Sequence, residues 1–203
     1  MVARLAFPSA ILCVVSVLLL TVLGGAGVPG YSHASQFISE LGATGAPHEM
    51  LVRFSGFLPA GCFLCLFTLG AFRALPRSRL TSVGLIGVLI YAVGYIVAAI
   101  FPCDPGCRPA EPSASQIVHN LFGLASYALA PPFLVALGWS ARRWPGGSYL
   151  AVPAFVAAGI TFVGLLTLSP ESPYAGVSQR GIEATVLLWV MMCAWYARSR
   201  SAA

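Results

Sequence analysis

Polar and apolar positions fall in long blocks along this chain rather than at a short period. Six apolar runs, at residues 5–28, 54–72, 80–101, 117–139, 149–168 and 182–197, alternate with five more polar connections. A spanning helix needs about 20 mainly apolar residues, so runs of this kind predict six transmembrane helices. Inside a bilayer each backbone polar group must find its partner within the segment, and the predicted fold is an all-α polytopic helical bundle. With so much of the chain apolar, a single transmembrane domain over 1–203 is expected. The first run follows Arg4, as a signal peptide would, but it is longer than the roughly 7–15 residues of a signal core and no A-x-A site follows it. The sequence SAILC around Cys13 places the bulky Leu12 where a lipoprotein signal needs a small residue. The run therefore reads as the first membrane helix.

The first connection contains a patterned segment, YSHASQFISELG. At 100° per residue, His33, Gln36 and Glu40 share one arc, Ser32, Ser35 and Ser39 lie beside them, and Ala34, Phe37, Ile38 and Leu41 take the opposite side. Gly30 and Gly42 bracket it, and Ser32 suits a cap. The expectation is a short amphipathic helix at about 31–41, lying on the surface or dipping into the mouth of the bundle.

Composition fixes the setting. The chain is 58% hydrophobic and 8% charged, against roughly a quarter charged in soluble domains. All eleven basic residues are arginine. Arg4, Arg73, Arg77, Arg79, Arg142, Arg143, Arg198 and Arg200 fall at the termini and at the second and fourth connections, which are alternate sides of a six-pass bundle. By the positive-inside rule that side is cytoplasmic, and the expectation is a multi-pass protein of the cell (inner) membrane with both termini in the cytoplasm. Trp139, Trp144, Trp195 and Tyr196 stand near these arginines, as an interfacial belt does. Glu40, Glu49, Asp104, Glu111, Glu171 and Glu183 lie in or beside the other three connections. The net charge of +5 accordingly reads as topology and contact with anionic lipid, not nucleic-acid binding. Glycines 56, 61, 84, 87 and 94 suit close helix packing, and Pro131-Pro132 should kink the fourth helix. Cys13, Cys62, Cys65 and Cys193 sit in apolar runs and read as small buried hydrophobes.

Candidate chemistry concentrates on the outward side, with all three histidines. In FPCDPGCRP, Cys103 and Cys107 flank a Pro-Gly turn, and an oxidising location favours a disulfide between them. The alternative is a metal site using both thiols and Asp104, but no second Cys or His pair stands at zinc spacing. In SQIVHNLFG, Gln116 and His119 lie one turn apart, with Tyr127 two turns further. In SPESPYAGVSQRGIE, Arg180 suits either a lipid phosphate or an ion pair with Glu183. A Ser-Gln pair recurs in each outward connection, at Ser35-Gln36, Ser115-Gln116 and Ser178-Gln179, and an ionisable residue follows each: Glu40, His119 and Glu183.

The segments YSHASQFISELGATGAP, IFPCDPGC and SQIVHNLFG together resemble domain-of-unknown-function family 998 (DUF998), six-pass membrane proteins of bacteria and archaea. ISELGATGAP also shows a more distant likeness to the Frag1/DRAM/Sfk1 group. The resemblance implies a multi-pass helical fold and brings no reaction with it. Two functions remain in view. One is an uncharacterised protein whose outward polar site binds a lipid or lipid-linked molecule. The other is a membrane hydrolase or transferase, with His33, Glu40, Asp104 and His119 as acid-base groups and Ser35, Gln36, Ser39, Gln116 and Arg180 holding substrate. Catalysis requires Glu40, Asp104, His119 and Arg180 to line one pocket. No charged residue is expected deep in a helix, which disfavours an ion-coupled transporter. Membrane lipids are the expected partners, with no metal or cofactor, and nothing in the pattern sets an oligomeric state.

Overall fold

A computed structural model describes residues 2–201. Six long helices account for the six apolar runs: α1 (Ala6–Ala26), α2 (Glu49–Ala74), α3 (Arg79–Ile100), α4 (Ala114–Ala141), α5 (Ala151–Thr167) and α6 (Ala175–Ser201). The first four, and α5 with the turn before it, are long and apolar enough to cross a membrane. α6 spans 27 residues, about 40 Å, but carries Arg180, Glu183, Arg198 and Arg200 around its apolar middle. The protein is a multi-pass, all-helical membrane protein.

Each helix packs against the next in sequence, and α6 returns to α1, which closes the ring. Short links make antiparallel neighbours, as the connections at 75–78 and 142–150 require. The packing surfaces use small residues: Gly84, Gly87 and Gly94 of α3 face Leu137, Phe133 and Ser126 of α4. Large apolar side chains point outward instead, among them Leu18, Leu19, Val22, Leu23, Val83, Leu121, Leu124, Val152 and Leu188. This inside-out distribution is what lipid, itself apolar, permits. Cys13 and Cys193 are buried as expected, but Cys62 is exposed and Cys65 half-buried on the outer wall.

Helix ends follow local chemistry. The Ser78 hydroxyl accepts the Thr81 N–H at the start of α3, and Ser78, Thr81 and Ser140 hydroxyls knot α3 to α4 at 2.8–2.9 Å. The Ser113 hydroxyl likewise accepts the Gln116 N–H at the start of α4. α4 runs through Pro131-Pro132 as one helix. α2 begins five residues before its apolar run and contains a π-helical turn, Arg53–Phe57.

The helix expected at 31–41 is the main departure. Residues 33–35 form a turn, Phe37 is extended (φ −66°, ψ 150°), and a 3-10 helix covers only Ile38–Gly42. At Phe37 a side chain takes the donor a helix would use, while at Ser32 one caps a donor that a helix starting there would leave free. Gln36 Oε1 takes the Ser32 N–H at 2.8 Å and Glu40 Oε1 takes the Phe37 N–H at 2.9 Å. The apolar residues still segregate in part, since Ile38 and Leu41 are buried while Ala34 is exposed.

Ring packing gives a direct test. A Cβ on Gly61 would stand 2.8 Å from the Ala92 carbonyl oxygen and 3.0 Å from the Ile96 nitrogen, backbone atoms that cannot turn aside. One on Gly159 would meet nothing within 4 Å. Gly61→Val should lower stability by about 1–3 kcal/mol, read as a reduced melting temperature in detergent, while Gly159→Val should leave it nearly unchanged.

Candidate functional site

The three longer connections meet at one end of the ring, opposite the eight arginines named above. The segment at 31–42 lies at their centre, and arginines hold its main chain. Arg180 Nη1 donates to the Gln36 carbonyl at 2.9 Å and to the Gly176 carbonyl at 3.1 Å. Its Nη2 donates to the Tyr31 hydroxyl at 2.6 Å and to His33 Nδ1 at 3.0 Å. A guanidinium only donates, so His33 Nδ1 and the Tyr31 oxygen are acceptors here. Burial raises the Tyr31 pKa above that of an ordinary phenol, against the lowering influence of Arg180. The phenol keeps its proton and donates it to the Phe37 carbonyl at 2.8 Å. From the next connection, Arg108 Nη2 donates to the Ser35 carbonyl at 3.2 Å and stands 3.7 Å from Glu40.

Cys103 and Cys107 are joined by a disulfide, with Cα atoms 5.0 Å apart. The turn they close is tied to the rest by Asp104, whose N–H donates to Gln116 Oε1 at 2.7 Å and whose carboxylate accepts the Ser113 N–H at 2.9 Å. Gln116 is fully buried and donates onward to Asn120 at 2.7 Å.

Beneath these loops the helices enclose a half-open cavity of about 320 Å³. Its exposed margin includes Asn120, Leu124 and Pro170, and its buried part includes Ile38, Phe57, Tyr91, Tyr95, Gln179 and Glu183. Glu183 is 7% exposed, in the interior of the ring. This corrects the expectation that no charged residue lies deep in a helix. The Tyr127 hydroxyl donates to Glu183 Oε1 at 2.7 Å, and the Tyr95 hydroxyl donates to Oε2.

The direction of this network follows from one backbone group. The Ile38 N–H donates to Gln179 Oε1 at 2.5 Å. That orients the amide, so Gln179 Nε2 donates to the Tyr127 oxygen at 2.9 Å. Tyr127, having accepted there, directs its own proton to Glu183. Tyr91 lies beside both rings, with centroids 5.9 Å from Tyr95 and from Tyr127, and its buried hydroxyl, near Glu183, makes no hydrogen bond of normal geometry among the described residues.

Residues 11–196 match the family described as Protein of unknown function (DUF998). The chain belongs to the DUF998 family. No curated protein and no solved structure matches it.

Within this DUF998 protein the residues singled out from sequence share one end of the bundle but not one pocket. Ser39, Cys107 and His119 line the cavity. His33, Ser35, Gln36, Glu40, Asp104, Gln116 and Arg180 are outside its lining, and their hydrogen bonds join loop to loop and loop to helix. His119 Nδ1 donates to the Phe101 carbonyl at 2.9 Å, which leaves Nε2 without a protein partner among the described residues. Glu183, Tyr91 and Tyr95 were not singled out as site residues. Two spacings carry their signal: Gln179 to Glu183 and Tyr91 to Tyr95 are each four apart, hence on one helix face.

If Arg180 acts as the clip that holds the segment at 31–42, Arg180→Met removes charge-assisted bonds to two carbonyls, a hydroxyl and an imidazole. Each is worth about 1.5–3 kcal/mol before relaxation. Hydrogen exchange at 31–42 should speed at least tenfold while exchange in the middle of α3 stays slow. Unchanged protection at 31–42 would instead assign Arg180 to a ligand.

Proposed function

We propose that the protein binds a lipid or lipid-linked molecule in the cavity at the loop end, with its apolar part against Leu124, Leu168 and Phe57 and its polar end at Glu183. The carrying observation is the cavity itself: half-open, apolar-walled, and polar at its buried end through Gln179, Glu183 and three tyrosines. Its volume lies at the lower end of the roughly 300–1,000 Å³ usual for ligand pockets, enough for a headgroup and the start of a chain. The exposed Leu124 at the margin favours entry from the bilayer rather than from water. Binding is better supported than the hydrolase or transferase reading. Of His33, Glu40, Asp104 and His119, only His119 faces the cavity, and no nucleophile stands in hydrogen-bond contact with it.

Gly123 offers the test. It lines the cavity, and a Cβ there would meet nothing within 4 Å. Gly123→Phe should fill the space without unfolding the bundle, and native mass spectrometry should show at least a tenfold loss of co-purified lipid at unchanged melting temperature. Equal lipid retention by both proteins would remove the proposal. A lipid found intact on His119→Ala but chemically altered on the parent would move the assignment to catalysis.

The orientation belongs to the same proposal. The eight arginines opposite the loops favour a cytoplasmic location for that end and both termini, which would put the cavity at outer-leaflet depth in the cell membrane. A fluorescent protein fused to the C terminus should then fluoresce in cells, and alkaline phosphatase fused there should be inactive. The opposite pair of results would invert the topology.

A further inference from the structure

We infer that the polar end of the molecule this cavity takes is a cation, a protonated amine. The inference rests on the cavity reading above and adds the charge of its ligand.

The hydrogen bonds around Glu183 all run towards it. Ile38 N–H sets Gln179, Gln179 sets Tyr127, and Tyr127 and Tyr95 each donate to one carboxylate oxygen. A protonated carboxyl would have to give its hydrogen to the Tyr95 oxygen, and the Tyr95 hydrogen would then have no acceptor among the described residues. The network is wired for an ionised carboxylate.

An ionised carboxylate in the interior of a membrane bundle is costly unless a positive charge accompanies it. Among the described residues, no arginine or histidine stands within ion-pair distance of Glu183. Arg180 lies one turn earlier on α6, but its Nη atoms are directed to the Gln36 and Gly176 carbonyls, Tyr31 and His33, and it is not part of the cavity lining. His119 is the one basic side chain in the lining, and its Nδ1–H is committed to the Phe101 carbonyl. Burial therefore leaves a negative charge without its counterpart, facing a cavity.

The remaining groups suit an ammonium. The Tyr91 hydroxyl is buried, lines the cavity and makes no hydrogen bond of normal geometry among the described residues, although it stands near enough to Glu183 to interact with it. With Glu183 it offers acceptors to a group carrying several N–H donors. The rings of Tyr91, Tyr95 and Tyr127 cluster around the carboxylate, and aromatic rings attract cations through their electron-rich faces. An anionic headgroup would meet Glu183 directly and is disfavoured by the same geometry.

Three amphiphiles of one chain length, dodecylammonium, dodecanol and dodecanoate, separate charge from chain. Their affinities are measured for the full protein in lipid nanodiscs, with ethylammonium as the amine without a chain. The parent protein should bind dodecylammonium at least about tenfold more tightly than dodecanol, and dodecanoate least. Glu183→Gln should abolish the preference while keeping the dodecanol affinity. Tyr91→Phe should reduce it, and Gly123→Phe should remove binding of all three. Ethylammonium binding as tightly as dodecylammonium would make the site one for free amines, overturning the amphiphile part. Equal affinity for dodecanol and dodecylammonium in the parent protein, or a preference that survives Glu183→Gln, would overturn the cation while leaving the cavity reading intact. Binding of none of the amphiphiles would overturn both. The parent protein's own selectivity decides the matter even where Glu183→Gln fails to fold.

Discussion

The Ile38 N–H can only donate, and it meets the side-chain oxygen of Gln179. From that contact the amide of Gln179 has one orientation, Tyr127 one proton direction, and Glu183 one role. Hydrogen bonds in a low-dielectric interior are strong when made and costly when left unmade, so the chain cannot reverse at one link without leaving another group unpaired. The same contact seats the 3-10 helix Ile38–Gly42 against α6 and puts Ile38 into the cavity wall. Loop position and the polarity of the buried cluster are thus one constraint.

The recurring Ser-Gln pairs acquire a physical meaning in this setting. Gln36, Gln116 and Gln179 each accept a backbone N–H with Oε1, from Ser32, Asp104 and Ile38 respectively. Each then donates with Nε2 to a side-chain oxygen, on Glu40, Asn120 and Tyr127. A glutamine amide is a neutral side chain that can do both at once. The arginines that break the charge asymmetry follow a parallel rule. Arg53, Arg108 and Arg180 all donate to main-chain carbonyls, Arg53 to Ala99 and Ile100 at the end of α3. Their charge serves carbonyls that irregular backbone would otherwise leave unsatisfied near the membrane.

Much of the fold was legible because a spanning helix is announced by the length of an apolar block, and lipid enforces helicity within it. Helix starts were less so: α2, α4 and α6 all begin in polar sequence, where an apolar count starts too late. The segment at 31–41 misled because helical spacing brings Gln36 and Glu40 together whether or not the backbone is helical, and here their side chains displaced the helix. Site residues were sought among polar groups in the connections, and many of those bind backbone. Tyr91 and Tyr95 counted as hydrophobes within an apolar run, and Glu183 as the edge of a connection. Only the neighbouring helices show that these three face one another across the bundle.

The ring closes through α6, which leaves the ribosome after the five helices before it. Helices α2 to α5 each pack on the one before, so α1 to α5 can assemble as successive hairpins while the chain is still being inserted. Gln179, Arg180 and Glu183 all arrive with α6, and until then the segment at 31–42 has no Arg180 to clip to and the three tyrosines have no Glu183 to face. The binding chemistry therefore comes into being in the step that completes the bundle, and a half-made chain exposes no functional version of it.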